Sequence, residues 1–412
     1  MKYNILFISH ERKMGGANFA LIELVKNLRD AGNNVFVVVL FHGCPIDIEL
    51  KKIGIRTFSC FFGWWQQPEY WSKPLKIFFR FLHWLQWISI WRISRFVKKN
   101  DIHIIHSNSS VIDIGAQVAR KTHCCHVWHF REFGKADYRL EYIYPREQII
   151  EYISKQSDMV VFISNALQRS YIDLAGKSYN NVVYDGIASK TQRPQLELIE
   201  YKIQLLTNKK RPFHFLVSGN ISPGKNQKLV LEAVDYMIHE MLIDEKLFQL
   251  HFAGAETALR ESRRYGTDLR NYVRQHNISN VVFHGFVNNM DELRNGIDGE
   301  IIPSVSEAYG RVTLEAMMVG NLVIASNSGS NPELLENGRN GLLFECNNAK
   351  DLAYKMRYAM EHSCSECRKH AFQYVYAVHT REEAAYKVQV IYNQIWNRDG
   401  ESEKTLDNFD NI

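Results

Sequence analysis

Short apolar runs alternate with helical patterns along the whole chain. YNILFIS (3–9) is followed by GGANFALIELVKNLRDAG (15–32), where Leu21, Leu24, Val25 and Leu28 recur at i, i+3, i+4 and i+7 before Gly32. That spacing lines one face of a helix, and the glycine stops it. NVFVVVL (34–40), IHIIH (102–106), HVWHF (126–130) and MVVFIS (159–164) continue the series with helical stretches between them. Runs apolar on both faces and joined by helices predict a parallel sheet covered on both sides.

A second series of the same kind begins near residue 213, with FHFLVSG, FQLHFAG (248–254), NVVFHGF (280–286), GEIIPS (299–304) and LVIAS (322–326). The polar stretch SKTQRPQLELIEYKIQLLTNKKRP between the two series reads as a linker plus a short helix. The pattern therefore predicts an α/β chain of two similar halves. Such sheets bind ligands at the carboxyl ends of their strands, so the expected site is the cleft between the halves. The expected domains are 1–187, 188–380, a closing helix at 381–397 that packs back on the first half, and a polar tail at 398–412. The closing helix carries a stripe of Ala384, Val388, Ile391 and Ile395 that needs a surface to cover it.

Length agrees with this division, since 412 residues exceed one ordinary core. The composition, 46% hydrophobic and 23% charged, is that of a globular protein, and the net charge of +5 selects no partner by itself. Met1-Lys2 runs directly into a strand rather than a leader, and the seven cysteines are scattered, so a reducing, cytoplasmic location is expected. Cys364 and Cys367 in HSCSECRKH have metal-ligand spacing, but no second pair completes a zinc site, and the segment also reads as polar helix. No metal is expected.

Candidate chemistry concentrates in PSVSEAYGRVTLEAMMVG (303–320), where Glu307 and Glu315 stand on either side of Gly310. GEIIPS reads as a buried strand, SEAYG as the loop at its carboxyl end, and RVTLEAMMVG as a helix starting after Gly310. Free N–H groups at a helix start receive anions, and a glycine lets a phosphate come close. Carboxylates would repel that phosphate, so the glutamates suit hydroxyl-rich groups on either side of it. A nucleotide-sugar has that layout. The competing reading makes Glu315 a partner of the helix dipole and Glu307 an exposed loop residue. VSGNISPGKNQ (217–227) repeats the strand, glycine loop and helix, with Lys225 at its mouth either as a phosphate partner or as a solvated first-turn lysine.

The order SGNISPGKNQ, FHGFV, PSVSEAYGRVTLEAMMVG and SNSGSNPELLENGRNGLLF resembles the retaining, nucleotide-sugar-dependent glycosyltransferases of the large group-one family, glycosyltransferase family 4. The resemblance spans the second half. It implies the GT-B fold, with two Rossmann-like domains whose parallel sheets face each other across a cleft. It also implies residue roles: Glu307 on the donor sugar's hydroxyls, Glu315 on the nucleotide ribose, and Tyr309, Gly310 and Arg311 beside the diphosphate. Lys225 would neutralise the diphosphate, and Phe286 and Val287 would edge the base. Gly219 precedes Asn220, which stands where the family commonly has an arginine, so a bidentate phosphate donor is lost there. Gly329, Pro332 and Glu333 match a later glycine–proline–glutamate motif whose second glycine is Ser330 here.

In the first half, Gly15 and Gly16 after the first strand resemble the family's N-terminal glycine pair, which approaches the donor phosphate. They form no GxGxxG dinucleotide fingerprint. HVWHFREF places His126, His129, Arg131 and Glu132 toward a strand's end, and the resemblance makes His129 the histidine that faces the donor sugar. A satisfied core histidine is the competing reading. His106 and Asn108 could line the same region.

The segment 58–99 is rich in aromatics, and from 73 to 99 its charges are all basic: Lys73, Lys76, Arg80, Arg92, Arg95, Lys98 and Lys99. The cations interrupt it too often for a spanning helix, whereas an interfacial helix on an anionic membrane accommodates them. A first-domain helix with a buried face is the alternative. Nucleic acid could use the same side chains, but nothing else in the chain supports it. Together these readings predict a retaining hexosyltransferase that moves a sugar from a UDP- or GDP-sugar to a glycan or lipid-linked acceptor, on the cytoplasmic face of a membrane, in cell-surface polysaccharide biosynthesis, with no cofactor. A sugar-nucleotide epimerase, a glycan phosphorylase and an inactive nucleotide-sugar-binding protein are the rivals.

Overall fold

Every apolar run singled out above forms a strand in the computed structural model, which describes residues 1–171, 180–194, 196–207 and 211–407. The chain divides into one unit of Met1–Gly186 with Arg381–Ile412, and a second of Ile187–Thr380.

In the first unit the strands are β1 (Asn4–Ile8), β2 (Asn34–Val39), β3 (Arg56–Ser59), β4 (Gln66–Pro68), β5 (Ile104–Ser107), β6 (Cys125–Phe130), β7 (Leu140–Tyr142), β8 (Met159–Phe162) and β9 (Asn180–Val182). Among the described residues, seven of them build a parallel sheet in the order β3-β2-β1-β5-β6-β8-β9, while β4 and β7 pair antiparallel. β3, β4, β7 and β9 are short and mostly half-buried, so they lack the continuous apolar run that marks the central strands. The helix Gly16–Asp30 buries Leu21, Leu24, Val25 and Leu28, the face that the spacing assigned.

The helix Arg381–Asp407 extends past 397 into the stretch read as a tail, and residues 408–412 lie outside the described residues. Val388, Ile391, Tyr392 and Ile395 join Leu21, Leu24 and Leu28 in one core, so the last helix of the chain completes the first unit.

The basic aromatic segment breaks into two helices, Lys73–Trp84 and Trp87–Lys99. The first buries only His83, and the second buries Ile93, Ser94 and Val97. A helix with a largely buried face is therefore not what Lys73–Trp84 forms.

The second unit contains β10 (Phe213–Ser218), β11 (Phe248–Ala253), β12 (Val281–Gly285), β13 (Gly299–Ile302), β14 (Leu322–Ser326) and β15 (Leu342–Phe344). They form a parallel sheet in the order β12-β11-β10-β13-β14-β15. The stretch read as a linker supplies the helix Leu196–Thr207 to this unit, because Ile199 and Ile203, four residues apart, are both buried. Cys367 packs in the core with Phe215, Val230 and Leu352, and burial pushes its thiol up to about 12, so it stays protonated; among the described residues no cluster of metal-ligating groups forms. In both units consecutive strands run outward in one direction from the first and then resume on its other side. That reversal is the Rossmann switch point, between β1 and β5 and between β10 and β13.

Candidate active site

The switch point of the second unit falls between β10 and β13, and the loops that follow these two strands meet there. Lys225 lies in the 3-10 turn Pro223–Lys225, and Asn226, with φ +52°, separates that turn from the helix Gln227–His239. The lysine thus precedes the helix instead of occupying its first turn. Its Nζ donates to Glu307 Oε2 at 2.7 Å, and the amide of Val305 donates to the Gly224 carbonyl at 3.2 Å, so the two loops are joined twice. The Glu307 carbonyl accepts from the amide of Ser330 at 2.8 Å, which ties in the loop after β14.

Gly310 caps the helix Arg311–Met318 in the left-handed region at φ +86°, where a Cβ would lie 2.8 Å from Leu334 Cδ1. Both observations explain why glycine stands there. Arg311 opens the helix. Its Nη2 is 3.6 Å from Glu315 Oε1, and its buried Nη1 has no hydrogen-bond partner among the described residues. A cation with an unused donor therefore sits at the helix start, in the half of the chain where Asn220 replaces an arginine.

Glu315 Oε2 is also 3.1 Å from Arg294 Nη1. Arg294 is buried and pairs with the fully buried Glu300 through Nε at 3.0 Å and Nη2 at 3.2 Å, while Ser218 Oγ donates to Glu300. Burial disfavours the guanidinium's charge, but Glu300 and Glu315 outweigh it and raise its pKa. Arg294 and Glu300 escaped the sequence reading. The available signal was Glu300 itself, since a carboxylate inside the apolar run GEIIPS requires a buried cation.

The remaining residues expected in this half are placed differently. The Tyr309 ring is buried, with its Oη 3.0 Å from His379 Nδ1, so only its backbone borders the helix start. Gly219 has φ +127°, and a Cβ on Gly254 would lie 1.8 Å from its carbonyl oxygen. Asn220 is exposed, and its carbonyl accepts from Gln227 Nε2 at 3.0 Å. Phe286 is 73% exposed, while Val287 packs against the cluster of Leu216, Ala253 and Ile297. Neither Asn220 nor Phe286 takes part in the ion pairs.

In the first unit, Gly15 caps the helix Gly16–Asp30 in extended backbone, and a Cβ on it would lie 3.2 Å from Glu11 Oε2. His129, on β6, is buried. Its Nδ1 lies 3.2 Å from His106 Nε2, whose other nitrogen is 2.7 Å from Tyr392 Oη, and its buried Nε2 has no partner among the described residues. Burial, then Arg131 and His106, hold its pKa well below the ordinary histidine value, so the imidazole is neutral. His129, Leu24, Val183, Asp185 and Arg381 line a cavity of about 10 Å³, roughly the room of one water. Arg131 pairs with Asp185 at 2.6 Å and donates to Asn108 Oδ1 at 2.7 Å. Glu132 is consumed structurally, accepting from Ser109 Oγ and from the amide and hydroxyl of Ser110. His126 lies on the second residue of β6, away from its carboxyl end, bonded to Ser107 and the Gln156 carbonyl.

Residues 200–377 match the family described as "Glycosyl transferases group 1", and residues 14–189 match "Glycosyltransferase Family 4". A UDP-Gal:alpha-D-GlcNAc-diphosphoundecaprenol alpha-1,3-galactosyltransferase of Escherichia coli is 23% identical over 272 residues, 63% of this chain and 66% of that protein. Sulfoquinovosyl transferase SQD2 of Arabidopsis thaliana is 24% identical over 348 residues, 81% of this chain and 61% of that protein. The chain thus spans about two thirds of the length of these curated relatives. Among solved structures, Anabaena Alr3699/HepE in complex with UDP and glucose aligns with a TM-score of 0.72 and 19% identity, covering 94% of this chain and 98% of that one. A glycosyltransferase from Rickettsia africae ESF-5 aligns with a TM-score of 0.75 and 18% identity, covering 96% and 99%. These likenesses identify the two Rossmann-like units as the GT-B fold.

Proposed function

The chain belongs to the group-one glycosyltransferases, with a family match in each half, and from that premise we propose that it transfers a hexosyl group from a UDP-sugar to a glycan or lipid-linked acceptor. The observation that carries this reading is the Lys225–Glu307 pair across the β10/β13 switch point, beside a glycine-capped helix start. The UDP in the HepE complexes and the UDP-Gal in the name of the E. coli relative support uridine as the base. That relative's diphosphoundecaprenol-linked acceptor supports a lipid-linked acceptor and a role in cell-surface glycan assembly.

In the proposed reaction the bond between the anomeric carbon and the diphosphate oxygen breaks, and its electron pair leaves with the diphosphate. Lys225, Arg311 and the amides at the Gly310 helix start meet the growing charge, and one such contact is typically worth about 3 kcal/mol. The acceptor hydroxyl forms the new bond on the face the diphosphate leaves, and its proton passes to the departing phosphate oxygen. Configuration is then retained. Glu307, already aligned by Lys225 and Ser330, orients sugar hydroxyls, and Glu315 accepts from the ribose. The chain's own cations supply the charge this step needs.

The test is incubation of the purified protein with UDP-glucose, UDP-galactose and UDP-N-acetylglucosamine, with and without undecaprenyl-diphosphate glycans. UDP release coupled to an α-linked product, read by NMR, is the expected outcome. An epimerised sugar formed without acceptor would move the assignment to an epimerase, and binding without turnover would make the chain a nucleotide-sugar-binding protein.

A further inference from the structure

The donor site makes no use of the two aromatic helices of the first unit. On Lys73–Trp84, Ile77, Phe81 and Trp84 fall at i, i+4 and i+7, so they form one outward stripe, and all three are exposed, Trp84 by 68%. Lys73 and Arg80, seven residues apart, flank that stripe. On Trp87–Lys99 the outer face begins with Trp87 and Trp91 and continues into Arg95 and Lys98, with the Arg95 guanidinium 4.9 Å from the Trp91 ring centre. Patches of this kind mark interaction surfaces, because a soluble protein otherwise keeps contiguous apolar area small.

The charges specify the partner. No acidic residue occurs between 73 and 99. Lys76 pairs with Glu141 at 2.7 Å, but Lys73, Arg80, Arg92, Arg95, Lys98 and Lys99 have no ion-pair partner among the described residues. A second copy seated on this face would bring these cations against their own kind. A bilayer carrying anionic headgroups satisfies both features, with indoles at the headgroup boundary, phenylalanine and isoleucine below it, and cations at the phosphates. Trp84 and Trp87 also border a cavity of about 650 Å³ that Ile90, Tyr152, Arg120 and Lys121 help to line, so a lipid has room beside the helices. Lys73–Trp84 has 12 residues, or about 18 Å, too short to cross about 30 Å of hydrocarbon, and among the described residues no helix is long and apolar enough to span.

We propose that the paired helices Lys73–Trp84 and Trp87–Lys99 seat the first unit on the surface of an anionic bilayer, lying in its plane. The inference stands without the donor assignment, and its test needs no donor. The full chain is floated with vesicles of phosphatidylcholine and phosphatidylglycerol and with phosphatidylcholine alone, beside two variants, Phe81→Ser/Trp84→Ser/Trp87→Ser and Arg80→Glu/Arg95→Glu/Lys98→Glu. All six side chains lie on exposed positions, and an unchanged thermal midpoint shows that each variant is folded. Binding to the anionic vesicles, weakened about tenfold or more in each variant and reversed by salt, is the expected result. Failure to float, equal flotation on neutral vesicles, or a dimer in sedimentation that the variants abolish would each overturn it.

Discussion

Gly329 sits so close to Glu307 that a Cβ on it would lie 2.4 Å from the Glu307 carbonyl oxygen and 2.5 Å from its amide nitrogen. The clash is with backbone, which has no rotamer to yield, and Gly329 is itself left-handed at φ +59°. Gly329→Ala therefore costs about 1–2 kcal/mol in backbone strain and pushes the Glu307 loop away from Lys225. We expect turnover to fall at least tenfold by the cost of such misplacement, about a hundredfold at a 1 Å shift, with the far-UV CD spectrum retained. Steady-state kinetics beside CD check this, and full activity would show that Glu307 does not need its present position.

Lys225→Ala removes the ammonium that faces Glu307 and leaves that carboxylate beside the place assigned to the diphosphate. Turnover should drop on the order of a hundredfold or more, since the lost donor acts on charge that develops in the transition state. Glu315→Ala should instead act on binding, seen in UDP titration calorimetry as a weaker Kd with a smaller change in turnover. An unchanged Kd would remove the ribose role.

How much of this was legible beforehand follows from how each feature is encoded. The central strands and the helix Gly16–Asp30 were plain because burial on a sheet or a helix face imposes a period on the sequence itself. Gly310 was legible for a similar local reason: a glycine between a buried strand and an apolar helix marks a turn that only a small residue fits. The 2.7 Å contact of Lys225 with Glu307 joins residues 82 positions apart, and no period records it. Arg294 was invisible because it sits in the polar run NNMDELRNG, and only the partner Glu300 marks it as buried. Tyr309 illustrates the opposite case, since its motif placed the residue but not its ring, which His379 holds.

Arg294 joins Glu300 in the core to Glu315 at the site. Arg294→Met leaves Glu300 buried without its cation, a loss of about 3–5 kcal/mol. Replacing the pair together, Arg294→Met/Glu300→Leu, should recover much of that loss, because two apolar residues leave no buried charge. The eight tryptophans all lie at positions belonging to the first unit. Urea unfolding should therefore show the single variant's far-UV CD transition shifting to lower denaturant while the tryptophan fluorescence transition stays in place. Coincident shifts of both signals would mean that the two units unfold together.

Acid should destabilise the first unit through its buried histidines. His126 donates from Nδ1 to the Gln156 carbonyl and accepts at Nε2 from Ser107, so it is held neutral, and burial pushes its pKa down to about 4, partly opposed by that carbonyl. An unfolded histidine has a pKa near 6.5. Between these values the unfolded chain binds the proton and the folded one does not, so stability rises with pH across that window. The contribution is fully present above about pH 6.5 and is lost as pH falls toward 4, about 3 kcal/mol at the limit. His106 and His129 are lowered in the same direction, which steepens the loss. Urea midpoints followed by tryptophan fluorescence at several pH values from 7 to about 4.5 should fall progressively, and His126→Gln should flatten the slope by about one proton. A midpoint independent of pH over that range would mean that these imidazoles reach solvent in the folded protein.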